Sequence, residues 1–346
     1  MKFRIAFLFA VLLLPIAAFA ADEGLLVGAP KIEPPGLMVR IKAMMGNADA
    51  QSEMGMAYAT GAGVDRSMIE ARQWWEKAAA SGNNHAQYAL GLLFAGTGYD
   101  GVTQDFGTAI SWFNKAADAG YVWAQFSLGY FYDVGIGAEQ SNKLAGQWYL
   151  RAADAGNEYA QHNVGMMFET GQGTPVSYVD AVKWYRKSAQ QGNAKSAFFL
   201  GKMFEDGRGV QADIDLAATY YRRAADGGVA PAQTRMGDFY YDGKGGLPQK
   251  YDEALQWYRK AAERNDVTAA ILLARMYDAG VGTNKDPIEA SKWSRASMKA
   301  VGAKPPEFKM GLESFNHFLV RKKIEDDSER VKKEETEAQK KLEKKE

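Results

Sequence analysis

Few side chains in this sequence could carry out chemistry, and their spacing matches no catalytic arrangement. The 346 residues include no cysteine and three histidines, which are His85, His162 and His317. Without cysteine there are no disulfides, thiol nucleophiles or thiolate metal ligands. The histidines share no metal-ligand spacing, and neither H-E-x-x-H nor G-x-S-x-G occurs. The sequence therefore predicts a protein that is not an enzyme and that holds no cofactor or metal.

One glycine motif needs its own interpretation. The stretch from Gly96 to Gly101 reads G-x-G-x-x-G, which is the pattern of a dinucleotide-binding turn. That function requires a preceding strand, whereas a helical pattern precedes Gly96. Gly-x-Gly also recurs at the equivalent point of other units in the chain. We therefore interpret the motif as a turn between two helices.

Composition narrows the class of protein. The chain has 42 basic and 42 acidic residues, so its formal net charge is zero, which argues against a nucleic-acid partner. Hydrophobic residues make up 47% and aromatic residues 12%, enough for a buried core. The 36 glycines are unusually many and need a structural reason.

The first twenty residues predict export. Lys2 and Arg4 precede an apolar run, and a small-residue site ends at Ala20. A permanent membrane anchor is the alternative, but the run is short for a spanning helix and Pro15 interrupts it. We expect cleavage before Ala21, a periplasmic or secreted product, and no integral membrane segment after cleavage.

A unit of about 36 residues recurs seven times. A small residue marks the first half of each unit: Gly55, Gly91, Gly129, Gly165, Gly201, Gly237 and Ala274. An alanine marks the second half: Ala71, Ala109, Ala145, Ala181, Ala217, Ala254 and Ala290. An aromatic residue follows each alanine by three: Trp74, Trp112, Trp148, Trp184, Tyr220, Trp257 and Trp293. The distance from each alanine to the next first marker is always twenty residues, so length varies only inside a unit.

Each unit has the pattern of two amphipathic helices. Gly165 falls in the middle of a helix, where glycine costs about 1 kcal/mol relative to alanine, so we attribute it to close helix–helix approach. Glycines also end the helices, and Asn265 takes such a place as the next best residue for a left-handed cap. Helix pairs of this kind bury their apolar faces by stacking. The sequence predicts an all-α fold, a right-handed α-solenoid superhelix of helix–turn–helix repeats.

The same pattern predicts the organisation of the chain. Residues 1–20 are the signal peptide, and residues 21–45 are a linker with an N-terminal capping helix. Residues 46–297 hold the seven repeats. Residues 298–320 include an amphipathic C-terminal capping helix, and residues 321–346 form a charged tail, either helical or disordered, for which a coiled coil is disfavoured by charged residues in its seam.

These recurring motifs, L-G-x-x-Y/F, G-x-G, A-x-x-W-Y/F-x-K-A-A and G-N, resemble the Sel-one-like repeat family of the tetratricopeptide superfamily. The resemblance implies a superhelical, non-catalytic scaffold or adaptor. Exported bacterial relatives are associated with envelope assembly and host-cell interaction. A cysteine-rich subgroup has reported antibiotic-binding activity, which the absence of cysteine here does not support.

One stripe along the first helices is the candidate binding surface, which we name the inner-face stripe. In tetratricopeptide-like repeats, positions six and three before the glycine and one and four after it line the groove. The candidate partner-binding residues are His85, Tyr88, Leu92, Trp123, Phe126, Tyr130, Tyr159, His162, Met166, Phe198 and Lys202. Their aromatic centre and charged border are typical of a protein-binding surface. The alternative is that tight curvature buries these side chains in the core.

We therefore expect an exported scaffold that binds a protein or peptide in a concave groove. A secreted host-interaction factor, or an envelope glycan binder or cell-wall-active enzyme, remain alternatives. We also expect Trp148 and Trp184 to be wedged between adjacent helices. Replacing both Phe126 and Tyr130 by alanine should weaken binding while leaving stability nearly unchanged.

Overall fold

The computed structural model describes residues 34–96, 99 and 101–300, with side chains placed as far as Ser297. This part of the chain is all-α and contains fifteen helices. They are α1 (Leu37–Met44), α2 (Ala48–Thr60), α3 (Met68–Ala80), α4 (Asn84–Ala95), α5 (Phe106–Asp118), α6 (Val122–Val134), α7 (Asn142–Asp154), α8 (Glu158–Thr170), α9 (Tyr178–Gln190), α10 (Ala194–Asp206), α11 (Ile214–Asp226), α12 (Ala230–Asp242), α13 (Tyr251–Glu263), α14 (Val267–Ala279) and α15 (Pro287–Ala300). The predicted signal peptide, the amphipathic C-terminal helix beyond Ala300 and the charged tail lie outside the described residues.

Successive helices pack in pairs, as the repeat pattern predicts. The chain divides into two compact units, Met1–Ala254 and Leu255–Glu346. In the first unit the two helices of each repeat pack together, and each second helix also packs on the first helix of the next repeat. In the second unit α14 packs on α15. The predicted α-solenoid of helix–turn–helix repeats is confirmed. Helix α1 lies in the segment for which an N-terminal capping helix was predicted, and it packs on α2.

Three features fix the connection of constant length between one repeat and the next, as the link between α3 and α4 shows. After α3, Gly82 adopts φ +81° and ends the helix in a left-handed conformation. The side chain of Asn83 then accepts a hydrogen bond from the backbone N–H of Ala86 and caps α4. Within α4, the Gln87 amide donates to the Ala79 carbonyl at the end of α3. The equivalent bond is made by Gln51, Gln125, Gln161 and Gln233.

The asparagine cap predicted in repeat six is also confirmed. Asn265 follows α13 and has φ +64°, the same left-handed conformation that glycine adopts after the five preceding second helices. Asparagine tolerates this conformation better than most side chains do. The connection between repeats therefore keeps its geometry where the glycine is replaced.

The glycine in the middle of the first helix makes room for an aromatic ring in repeats one to five. A Cβ atom on Gly165 would lie 2.7 Å from the ring of Tyr185, closer than packed atoms can approach. The predicted close approach is confirmed. The ring that approaches the glycine belongs to the residue directly after the aromatic marker of the repeat, which in this repeat is Trp184. The same contact joins Gly55 to Trp75, Gly91 to Phe113, Gly129 to Tyr149 and Gly201 to Tyr221.

The prediction that Trp148 and Trp184 are wedged between helices was wrong. Both rings lie half-buried at the edge of the core, and a cation from the next turn covers them. Lys187 Nζ lies 3.9 Å from the Trp184 ring centroid, and Arg151 Cζ lies 4.6 Å from that of Trp148. A helix turns about 100° per residue, so the residue after each Trp, not the Trp itself, faces the glycine. Tyr185 is accordingly 0% exposed.

Candidate functional site

Four of the eleven predicted binding residues belong to the core. Tyr88, Leu92, Phe126 and Tyr130 are only 2–4% exposed, so the prediction that they contact a partner was wrong. The chain of the next repeat covers the rings at the position three before the glycine. The ring centroids of Tyr88 and Tyr121 are 5.0 Å apart, and those of Phe126 and Tyr159 are 6.1 Å apart. Close stacking of successive repeats therefore buries Tyr88 and Phe126 at this position.

The other seven predicted residues remain partly accessible. They are His85, Trp123, Tyr159, His162, Met166, Phe198 and Lys202, and all are half-buried. Their participation in binding stays a prediction. Because they come from four consecutive repeats, they follow one face of the stacked first helices.

Two of these side chains form an aromatic platform on a buried base. Trp123 on α6 and Tyr159 on α8 have ring centroids 6.0 Å apart, with a 45° angle between the rings. Both rings contact Phe126, which is 2% exposed and whose ring centroid also lies 5.8 Å from that of Tyr149. Phe126 thus holds the two half-exposed rings from below. We name Trp123 and Tyr159 the aromatic platform.

The two described histidines are held in fixed orientations by serines of adjacent repeats. Nδ1 of His85 lies 2.9 Å from Ser52 Oγ, and Nδ1 of His162 lies 2.9 Å from Ser196 Oγ. Ser196 donates its own proton to Ser188, so the Nδ1 atom of His162 carries the hydrogen of that bond. Burial, reinforced by Lys195, lowers the pKa of His162 to about 4, so the ring is neutral at pH 7. The third histidine, His317, lies outside the described residues.

Carboxylates on the stripe pair with buried tyrosines. Tyr185 donates to Glu169 at 2.8 Å, and Tyr221 donates to Glu205 at 2.7 Å, each within one repeat. Arg208 of the next repeat also bonds Glu169, at 3.0 Å, and so links the two repeats. These carboxylates sit four residues after the glycine, where the sequence predicted a charged border.

A pairing rule within the chain could have revealed this role. Among repeats two to five, those whose buried ring is Tyr185 or Tyr221 have glutamate four residues after the glycine. The repeat whose ring is Phe113, which lacks a hydroxyl group, has Ala95 at that position. A buried hydroxyl requires a hydrogen-bond partner, whereas a phenyl ring does not. The border carboxylates therefore stabilise the repeats and are only partly available to a partner.

Repeat three departs from this rule, because the carboxylate four residues after its glycine is one methylene group shorter than glutamate. Its ring is Tyr149 and its carboxylate is Asp133, which is shorter than glutamate. The buried Tyr149 hydroxyl makes no well-formed hydrogen bond within the described chain, although Asp133 and Asn163 lie near enough to influence its pKa, which burial raises well above the ordinary value. A cavity of about 10 Å³ lies beside it, lined by Asp133, Asn142, Asn163 and Gln172, and has the size of one water molecule.

We expect Asp133→Glu to stabilise the protein by about 1 kcal/mol, because the longer side chain reaches the Tyr149 hydroxyl. Urea unfolding at pH 7 measures this change. Glu169→Asp is the matched reverse variant and should destabilise, since it withdraws the carboxylate from Tyr185. A less stable Asp133→Glu variant would show that the cavity does not accept the added methylene.

Metal and membrane features are absent from the described part of the chain. Among these residues, no group of three or more His, Asp or Glu side chains could hold a metal ion. None of the described helices is both long enough and apolar enough to cross a membrane. Gly96 ends α4 and Gly101 has φ +74°, as expected for the interhelical turn.

Stacked helix pairs, five of them packed through an aromatic ring on a glycine, define a helical-repeat scaffold. The sequence of the repeated unit identifies the family to which this scaffold belongs. Residues 48–83, 84–121, 124–157, 158–193, 194–229, 230–266 and 267–297 match the Sel1 repeat. The chain belongs to the Sel1 repeat family and is a scaffold of seven such repeats, as the sequence resemblance predicted.

The solved structures that are similar to this chain include two repeat proteins more than 30% identical to it. One is a protective antigen present in uropathogenic Escherichia coli strains and displays an SLR fold; it is 33% identical, with a TM-score of 0.72. That match covers 76% of this chain and 56% of the antigen, so this chain spans little more than half of it. The other is a Sel1 repeat protein from Oxalobacter formigenes, 31% identical with a TM-score of 0.65, and the match covers 77% of each chain. Comparison with curated proteins finds no match.

Proposed function

We propose that this protein is an exported, non-catalytic scaffold that binds a protein or peptide on the inner-face stripe. The aromatic platform of Trp123 and Tyr159 carries the proposal. Large aromatic side chains that are partly exposed and rigidly supported are the usual anchors of protein interfaces. Phe126 supplies that support here, so the platform loses little conformational entropy when a partner covers it.

The surroundings of the platform favour an extended partner. Met166, Phe198 and Lys202 continue the half-buried row along repeats four and five. Apolar and cationic side chains therefore follow the platform along one line. A peptide that carries apolar and acidic residues matches this order, since its acidic groups can pair with Lys202.

We expect Trp123→Ala combined with Tyr159→Ala to weaken partner binding by more than tenfold, because anchor residues commonly contribute about 2 kcal/mol or more. The partner is first captured by crosslinking from the native envelope and then titrated against purified variants. Both half-buried rings pack on Phe126, so their removal should also lower the unfolding midpoint. Circular dichroism therefore checks that the double variant is fully folded at the temperature at which affinity is measured.

Val176→Ala combined with Val179→Ala is the matched control. Both valines are 53% exposed and lie away from the inner-face stripe, so this variant should bind normally. Equal affinity of the platform variant and the control would contradict binding at the platform. Replacing Phe126 and Tyr130, as the sequence suggested, is unsuitable because these buried side chains should instead cost stability.

A secreted host-interaction factor is a second candidate. It is favoured by the 33% identity to a protective antigen of uropathogenic Escherichia coli strains. Both candidates share the fold and the export that residues 1–20 predict. Fractionation of the producing cells distinguishes them, since an envelope scaffold stays in the periplasm and a host-interaction factor reaches the medium.

A further inference from the structure

The first helix of the solenoid has an apolar face that nothing in the described chain covers. Leu37, Met38, Ile41, Met44 and Met45 are 39–81% exposed and follow one stripe along α1. The opposite side of the helix is docked, because Ala43 is 1% exposed and its carbonyl accepts a hydrogen bond from Gln51. We name the five exposed side chains the α1 face.

Four of the five side chains of the α1 face stand where α3 and its C-cap carry polar or small residues, and the fifth, Met38, corresponds to the half-buried Trp74. The hydrogen bonds from Gln51 to Ala43 and from Gln87 to Ala79 align α1 with α3 at a spacing of 36 residues. Capping elements of a solenoid normally turn a polar surface to water. An apolar surface at these positions indicates a site that another segment covers. At this spacing, Leu37, Ile41, Met44 and Met45 correspond to Gln73, Lys77, Ala80 and Ser81, all exposed.

The segment immediately before the helix is suited to cover it. Residues 21–33 include four large aliphatic side chains, which are Leu25, Leu26, Val27 and Ile32. The stretch of chain from residue 26 to residue 33 is long enough to fold back along the helix. Extended chain spans about 3.3 Å per residue, whereas an eight-residue helix such as α1 is about 12 Å long. A tether this short gives an effective concentration in the millimolar range, well above that of a free second copy.

We propose that residues 21–33 dock on the α1 face and complete the N-terminal cap of the solenoid. Leu25, Leu26 and Val27 supply the apolar contact. Asp22 and Glu23 precede them and complement the charge of Lys42, which is exposed on α1. This inference does not depend on the proposed partner-binding function, since α1 lies outside the inner-face stripe.

The absence of cysteine allows a direct test. A single Met44→Cys substitution is made in the chain that begins at Ala21, and its rate of reaction with fluorescein maleimide is measured. We expect the rate to rise at least tenfold when Leu25, Leu26 and Val27 are all replaced by serine, because the serines release the segment. Ala80→Cys, at the equivalent position on α3, is the control and should react at one rate in both backgrounds.

Three outcomes would overturn the proposal. Equal rates for Met44→Cys with and without the serine substitutions would show that the segment does not cover the face. Protection that disappears on dilution would identify a second copy of the chain as the occupant. Protection that arises only with phosphatidylglycerol vesicles would identify a lipid surface.

A second measurement tests the contact itself. Leu26→Cys combined with Met44→Cys should form an intramolecular disulfide on mild oxidation, because docking brings the two positions together. Leu26→Cys combined with Ala80→Cys is the control and should remain reduced under the same conditions. Equal oxidation of the two pairs would contradict docking on the α1 face.

Discussion

Replacing Tyr185 by alanine is expected to cost about 3–5 kcal/mol of unfolding free energy, the range for a fully buried aromatic side chain. The ring is 0% exposed, packs over Gly165 and donates a hydrogen bond to Glu169. Its loss leaves a cavity between α8 and α9. In a solenoid each repeat contacts mainly its neighbours, so the damage should be greatest in the flanking repeats.

Trp184→Ala is the matched control for this prediction. It removes a larger ring from the adjacent position, but that ring is half-buried and covered by Lys187. We expect its cost to be at least about 1 kcal/mol smaller than that of Tyr185→Ala. Urea unfolding gives both values, and hydrogen exchange locates the loosened repeats. A larger cost for Trp184→Ala would contradict the assignment of Tyr185 as the core ring.

Lowering the pH from 7 to about 4.5 should remove about 2–3 kcal/mol of stability through His162. The folded state lowers the pKa of this ring from 6.5 to about 4. Between these two values the unfolded chain binds the proton more readily, so acid favours unfolding. The stabilisation is complete above about pH 6.5 and is lost as the pH falls toward 4.

The measurement compares wild type with His162→Gln in urea at three pH values between about 7 and about 4.5, the range in which the ring titrates. Carboxylates titrate in the same range in both proteins, so the difference between the two isolates the histidine. His85→Gln provides a second comparison, because burial also lowers the pKa of His85. A difference that stays constant across the three pH values would show that His162 does not titrate as described.

Helices, repeats and caps could be predicted from sequence because they depend on local rules. Gly165 and its equivalents recur at one place in the first helix, and close approach is the role that offsets their helix cost. Asn265 is another example, since few side chains other than asparagine tolerate a left-handed backbone. Both predictions rest on the properties of single residues and were confirmed.

The candidate site was only partly predictable because neighbouring repeats decide its exposure. Trp184 and Tyr185 are adjacent aromatic residues, and either could face the core on a helix of this pattern. Phe126 and Trp123 likewise share a stripe, yet only Phe126 is fully covered by its neighbours. Periodicity gives the direction of a side chain but not the distance to the neighbouring helix, and that distance separates core from surface.

The two kinds of connection in this chain also bear on how it could change length through genetic recombination. The link from a second helix to the next first helix is held by a residue in the left-handed conformation and, in most repeats, by a side-chain cap and a glutamine hydrogen bond. An insertion there would disrupt these interactions. The connection inside a repeat has seven residues in most repeats but ten after α4 and eight after α12. Unequal exchange between misaligned gene copies is therefore best tolerated when its break points fall within these inner loops.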